Sequence, residues 1–203
     1  MKIDNYIVLS GKLIDKLVFD HEIYGEKFYR TYCGCNRTSG YRDSVPIIIS
    51  ERLLYDFPVT TGVLLKIEGQ IRTHNYLKDG KSISNIYVFA TDLKLLEDVV
   101  FHNEAKLVGY VCRKAEYRET TGGRVVADLI LAVNRPYGKS DYIPIIVWGR
   151  SAKFARNIKV GQKLEVYGRF QSRGYTKKMG NGTEVAKVAY ELSVSRMEAK
   201  SET

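Results

Sequence analysis

The sequence predicts an all-β protein made of two tandem copies of one small five-stranded Greek-key barrel. Three observations carry that prediction: an internal repeat with a period near 100 residues, short runs of alternating apolar and polar residues, and turn chemistry between the runs. Positions 36–49 read NRTSGYRDSVPIII and positions 134–147 read NRPYGKSDYIPIIV, 98 residues apart. At the same offset Gly11 in VLSGKL meets Gly109 in LVGYV. After one inserted residue, GVLLKIEGQI (62–71) meets GQKLEVYGRF (161–170). Such a period is too long for a solenoid and marks a duplicated domain. The expected domains are therefore 1–100 and 101–203.

The second copy gives the clearer element pattern. AKLVGYVCRKAEYR reads as a long first strand, bent or bulged at Gly109. Strands follow around 124–134 and 142–148, and SAKFARNI is a short helix with Ser151 placed to cap it. KLEVYGRFQSRGY and EVAKVAYELSVSRME, joined through the GNG turn at 180–182, complete the unit. Five strands with one short helix before the fourth is the pattern of an OB-fold, expected in each copy.

Composition bounds the function. No apolar run approaches the roughly 18 residues that a membrane helix needs, and MKIDNYIVLSGKL alternates like a strand instead of resembling a signal peptide. A cytoplasmic, nucleoid-associated location is expected, with no membrane partner. The net charge is +9, and it is not shared evenly. Residues 1–100 hold 13 Lys+Arg against 13 Asp+Glu, whereas residues 101–203 hold 19 against 10. A cationic surface confined to one half points to a polyanion docked there, most often nucleic acid. The excess of 15 tyrosines over 7 phenylalanines supplies rings with polar tips, suited to half-wet surfaces.

The phrase LILAVNRPYGKSDYIPIIVWGRSAKFARNIKVGQKLEVYGRFQSRGY closely resembles the core of bacterial single-stranded DNA-binding proteins. The first copy resembles the same family more faintly, mainly through the repeat. The resemblance implies a barrel that binds single-stranded DNA with little sequence preference, and an assembly of four barrels. A chain with two barrels reaches four as a homodimer. Members of this family typically end in an acidic, phenylalanine-terminated tip that recruits other proteins. This sequence ends in RMEAKSET, so recruitment through such a tail is not expected.

Binding single strands requires cations along the backbone and flat rings for the bases. Strand alternation puts Arg169, Gln171, Arg173 and Tyr175 on one face, with Gly168 and Phe170 turned inward. It likewise puts Tyr142, Pro144, Ile146 and Trp148 opposite Ile143, Ile145 and Val147. Six residues of strand would separate Tyr142 from Trp148 by on the order of 20 Å, enough for several nucleotides. The resemblance places Tyr137, Tyr142, Trp148 and Tyr175 at the family's base-stacking positions. Charge and loop position add Arg135, Lys139, Arg150, Arg169, Arg173, Lys177 and Lys178 as expected phosphate contacts. A core tryptophan closing the barrel is the plainer alternative for Trp148.

The first copy has lost much of this set. Ser44 and Ser50 stand where the second copy has Tyr142 and Trp148. Tyr76 matches Tyr175, Tyr41 stands in for Tyr137 two residues out of register, and Arg72 and Arg37 are its expected phosphate contacts. This copy is expected to take a subsidiary or dimerising role, and the second half is expected to keep most of the affinity when isolated.

Other signals are weaker. Cys33-Gly-Cys35 has same-face spacing, but zinc requires four ligands and Cys112 is the only other cysteine. Both align with apolar positions of the second copy, Leu131 and Val133, so buried thiols are expected. TTGGR (120–124) and GNGT lack the Lys-Ser/Thr of a phosphate-binding loop and read as hairpin turns. No nucleophile–base pair or paired carboxylate stands out, so neither catalysis, a metal nor a cofactor is expected. The expected function is sequence-nonspecific binding and protection of single-stranded DNA in replication, recombination or repair. The alternatives are a protein-interaction module of a primosome or recombination complex, and an RNA-binding protein.

Overall fold

The computed structural model describes residues 4–55, 59–78, 80–120, 122–180 and 182–201. Twelve strands form two closed barrels of the same topology. In the first, β1 (Asn5–Leu13), β3 (Glu26–Asn36), β4 (Arg42–Ser50), β6 (Lys81–Leu95) and β5 (Leu64–Lys78) are neighbours in that order, and β5 returns to β1. The second repeats the cycle with β7 (Asn103–Val111), β9 (Val125–Asn134), β10 (Ser140–Trp148), β12 (Glu184–Ala199) and β11 (Lys163–Lys178). In each barrel one pairing is parallel, β4–β6 and β10–β12, and the rest are antiparallel. This is the five-stranded Greek-key closure of an OB-fold, written twice. Short strands β2 (Val18–Ile23) and β8 (Glu116–Glu119) add an outer ribbon to β3 and β9.

Inward residues of the alternating strands fill the barrels. Ile7, Leu9, Ile47, Ile67 and Ile71 in the first, and Leu107, Leu129, Leu131, Ile143 and Phe170 in the second, are buried. Burial of each such side chain contributes roughly 1.5–3 kcal/mol. Cys33 and Cys35 belong to this core as free thiols, their Sγ atoms 3.7 Å apart. Gly109 and Gly11 permit closure. A Cβ on Gly109 would lie 2.6 Å from the Ala132 carbonyl oxygen, and one on Gly11 would lie 2.3 Å from that of Gly34. Gly109, opposite Leu164 of β11, comes just before Tyr110 and Val111, where β7 pairs with β9.

Three local expectations change. The long first strand of the second copy is divided into β7 and β8, and the bulge lies at Tyr167/Gly168 in β11, matched by Glu68/Gly69 in β5. The helix α1 is Gly149–Ala155, so Ser151 lies inside it, and Trp148 occupies the cap position without a side-chain cap bond. Among the described residues the first copy carries a 3-10 turn, Glu51–Leu54, in place of an α-helix, and it is Ser50 that accepts from the Arg52 amide there. The GNG turn includes Asn181, which lies outside the described residues. Among the described residues no helix is long and apolar enough to cross a membrane.

The barrels join through β1 and β7, which pair antiparallel over Asn5–Leu9 and Asn103–Leu107. Ile7 lies opposite Ala105, its own counterpart in the repeat, so the pairing is two-fold symmetric about that point. One asparagine reinforces each end. Asn5 accepts from the Ile71 amide at 2.9 Å and donates to its carbonyl at 2.6 Å. Asn103 does the same with Phe170 at 2.9 and 2.8 Å.

The repeated phrase supplies a second, crossed connection. Asp43, fully buried, accepts from the Arg37 guanidinium at 2.7 and 2.5 Å, and from the backbone amide of Ser172 in the other barrel at 2.8 Å. Arg37 also donates to the Ser172 carbonyl at 3.2 Å. In mirror fashion Asp141, also fully buried, is paired with Arg135 and accepts from the Thr73 amide at 2.5 Å. Arg135 donates to the Thr73 carbonyl at 2.7 Å, and Arg72 adds a contact to Asp141 at 3.2 Å. Each barrel therefore presents an Arg–Asp pair to a backbone segment of its neighbour. A carboxylate buried in this way is retained only because its lone pairs are filled.

Candidate nucleic-acid interface

The face of the second barrel that carries the aromatic and basic residues is built by strand ends. Val126 of β9 stands opposite Trp148 of β10, which leaves the indole at the rim where α1 begins. Trp148 is 37% exposed, and its Nε1 donates to Ser193 Oγ at 3.2 Å. The ring is thus tethered at one edge and open on a face, which excludes the buried-core alternative. Two hollows share Trp148 and Arg124. One, of about 550 Å³, is lined also by Arg150 and Lys153 of α1. The other, of about 540 Å³, is lined by Arg169, Gln171, Ser172 and Arg173 of β11, with Arg37 and Tyr41 of the first barrel. Cations thus surround a half-exposed indole on both sides, as stacking with phosphate neutralisation requires.

Arg169 is the unusual member of this set. Its Nη2 donates to Gln171 Oε1 at 3.0 Å, while its Nε is buried with no hydrogen-bond partner among the described residues. Burial, and then repulsion from Arg37, lowers the pKa of its guanidinium. Arg173 stands 6.0 Å from the centre of the Tyr175 ring and pairs with Glu191 at 3.3 Å. Glu191 also accepts from Gln171 at 3.0 Å, so one acidic residue holds the row in place.

The structure separates the expected residues into groups. Trp148, Arg150, Arg169, Arg173, Arg37 and Tyr41 line the two adjoining hollows. Tyr175 lines a different cleft between the barrels, with His74, Lys187 and Tyr190. Tyr137 is fully exposed on the turn after β9 and holds a positive φ of 64°, outside both hollows. Tyr142, Tyr76, Lys139, Lys177 and Lys178 are exposed on the same strands or their loops, also outside the hollows, and Lys178 lies 3.6 Å from Glu184.

Arg135 and Arg72 take a different place from the one expected: both guanidiniums are engaged by Asp141 in the crossed connection. Arg37 is engaged by Asp43 in the same way, although one side of it still borders the second hollow. Sequence reasoning missed Arg124 and Lys153. Arg124 lies in the TTGGR segment, read as a bare hairpin turn, and the usable signal was its position just before a strand that faces Trp148.

The first barrel fills the equivalent positions differently. Phe28 faces Ser50 in β3–β4 as Val126 faces Trp148, which fixes the correspondence. Ser50 replaces Trp148, and Glu26 replaces Arg124. Ser50 donates to Glu26, which pairs with Arg52 at 2.9 Å. Where the second barrel has a half-exposed indole among cations, the first has a self-neutralised polar cluster.

Comparison with known proteins bears on the family and the fold. The family model described as "Single-strand binding protein family" matches residues 102–199. The Single-stranded DNA-binding protein 3 of Clostridium acetobutylicum is 35% identical over 96 residues, which cover 44% of this chain and 67% of that protein. The single-stranded DNA-binding protein of Halalkalibacterium halodurans is 36% identical over 44% of this chain and 57% of its own length. That of Lactiplantibacillus plantarum is 32% identical over 50% and 54%. The chain thus spans little more than half to two thirds of these relatives. Both barrels are matched by the crystal structure of the wild-type single-stranded DNA-binding protein from Thermus aquaticus. Its TM-score is 0.77 at 20% identity, over 98% of this chain and 94% of that one, a likeness of fold. On the match of its second barrel and the relatives it shares, the chain belongs to the single-strand binding protein family.

Proposed function

We propose that this chain binds and protects single-stranded DNA with little sequence preference, in replication, recombination or repair, and without catalysis of its own. The carrying observation is Trp148, open on one face between two arginine-lined hollows. Bases stack on the indole because every base offers a π-face, and phosphates are neutralised by Arg124, Arg150, Lys153, Arg169 and Arg173. Tyr175, Tyr142, Tyr137 and Tyr76 extend the path as exposed rings on either side. The second barrel, residues 101–203, is the principal binding unit. The first, residues 1–100, supplies most of its contribution through the joint between them. A homodimer would present four barrels, a reading supported by the family resemblance, and its mass in solution tests it. The cytoplasm is the expected location.

Because Trp148 is the only tryptophan, its fluorescence reports the site directly. Titration with oligo-dT at low salt is expected to quench it, and added salt is expected to reverse the quenching steeply as counterions compete for phosphate. Binding of oligo-dT that leaves the fluorescence unchanged would remove Trp148 from the site. No binding at low salt would remove the function.

A further inference from the structure

The second hollow is not the property of one barrel. Arg169, Gln171, Ser172 and Arg173 come from β11, but Arg37 and Tyr41 come from the loop between β3 and β4 of the first barrel. That loop is held tightly. The Arg37 amide donates to the Tyr41 carbonyl at 2.7 Å, the Gly40 amide donates to the Arg37 carbonyl at 3.0 Å, and Gly40 has a φ of +83°, which favours glycine. The Arg37 guanidinium lies 4.5 Å from the centre of the Tyr41 ring while it grips Asp43 and the Ser172 carbonyl. The crossed connection therefore delivers a half-exposed tyrosine to the edge of the other barrel's site. Beside it lies the one side-chain nitrogen among the described residues that is buried without a partner, Arg169 Nε.

Arg169 shares its hollow with Arg37, Arg124 and Arg173, and a cluster of guanidiniums around one hollow favours an anionic acceptor there. The half-exposed Tyr41 ring, with Arg37 4.5 Å from its centre, can take a flat partner. We propose that the principal groove is a joint site of the two barrels, in which a phosphodiester seats on Arg169, and the next base stacks on Tyr41 of the first barrel after leaving Trp148 of the second. This rests on the single-stranded DNA reading above and adds to it a direction: the strand crosses from the second barrel to the first at this one junction. The mirror junction lacks these three residues. Lys139 stands there in place of Tyr41, Gln70 in place of Arg169, and Ser50 in place of Trp148. This set of indole, arginine and tyrosine is therefore assembled at one of the two junctions.

The test uses the full chain and two variants outside the Arg–Asp pairs, Tyr41→Ala and Arg169→Gln. Oligo-dT and an abasic oligodeoxyribose phosphate of equal length are titrated at low salt, with Trp148 fluorescence and anisotropy of the labelled oligomer as readouts. Tyr41→Ala is expected to weaken oligo-dT roughly five- to tenfold and to leave the abasic oligomer within about twofold, as the loss of one stacked base predicts. Arg169→Gln is expected to weaken both oligomers and to flatten the salt dependence by about one counterion. Trp148 quenching at saturation persists in both variants. If either variant binds oligo-dT within about twofold of the parent while Trp148 is still quenched, the joint site is overturned and the single-stranded DNA reading stands. If the parent chain binds neither oligomer, that underlying reading falls.

Discussion

The two barrels share one closure, one bulge position and one phrase, and they part at the end of their third barrel strand. In the second barrel that strand ends in Trp148, ringed by Arg124, Arg150 and Lys153. In the first it ends in Ser50, tied into a cluster with Glu26 and Arg52. Residues common to the two copies build the architecture: Gly11 and Gly109 at the close approach, Asn5 and Asn103 at the joint, Arg37–Asp43 and Arg135–Asp141 in the crossed connection. Residues that differ include Trp148 and Arg124, to which the proposed binding is assigned. In a symmetric dimer of one barrel every substitution appears twice. Linking two barrels in one chain removes that constraint, so that one copy can lose its ring while the other keeps it.

The largest expected effect tests the shared part. Asp43→Ala leaves the partly buried Arg37 without its carboxylate, Asp141→Ala leaves Arg135 and Arg72 without theirs, and each leaves a neighbouring amide unsatisfied; each is expected to cost about 3–5 kcal/mol of unfolding free energy in urea. Equal losses support the two-fold equivalence of the connections; a loss at only one of them breaks it. The differing part gives the next effect. Trp148→Ala is expected to weaken oligo-dT binding by about 1–3 kcal/mol, whereas Ser50→Ala, at the matching position, leaves that affinity unchanged. Comparable losses at both positions would place binding on both barrels alike. The smallest effect belongs to Arg124. Arg124→Ala should weaken binding about equally for all base sequences and lower the salt slope by about one unit. A loss that depends on base identity would make Arg124 a base contact.

Much of the fold was legible because the repeat lets each copy read the other. The strand faces were legible too, since Ile143, Ile145 and Val147 alternate with exposed Tyr142 and Trp148, although Ile146 is also buried. What the sequence conceals is partnership at a distance. Arg37 and Arg135 look like free cations in basic loops, yet each is matched by an aspartate six residues on, and each reaches a backbone segment of the other barrel. The clue lay in the phrase itself: Arg and Asp recur in both copies while the aromatics do not, as expected of a structural pair. The same connection bears on the expectation that the second half works alone. Without the first barrel the Ser172 amide loses Asp43, and the hollow beside Trp148 loses Arg37 and Tyr41.

The crossed connection also orders events during synthesis. The strands of the first barrel are all made by residue 95, but its Thr73 amide has no acceptor until Asp141 has been added. Asp43 likewise waits for Ser172. In that interval the outer side of β1 is an open strand edge, which attracts any other unpaired strand nearby. The short stretch 96–102 then brings β7 to that edge from the same chain, at the millimolar effective concentration that a short tether provides. A nascent chain is thereby steered to complete itself before it can be captured by another ribosome's product.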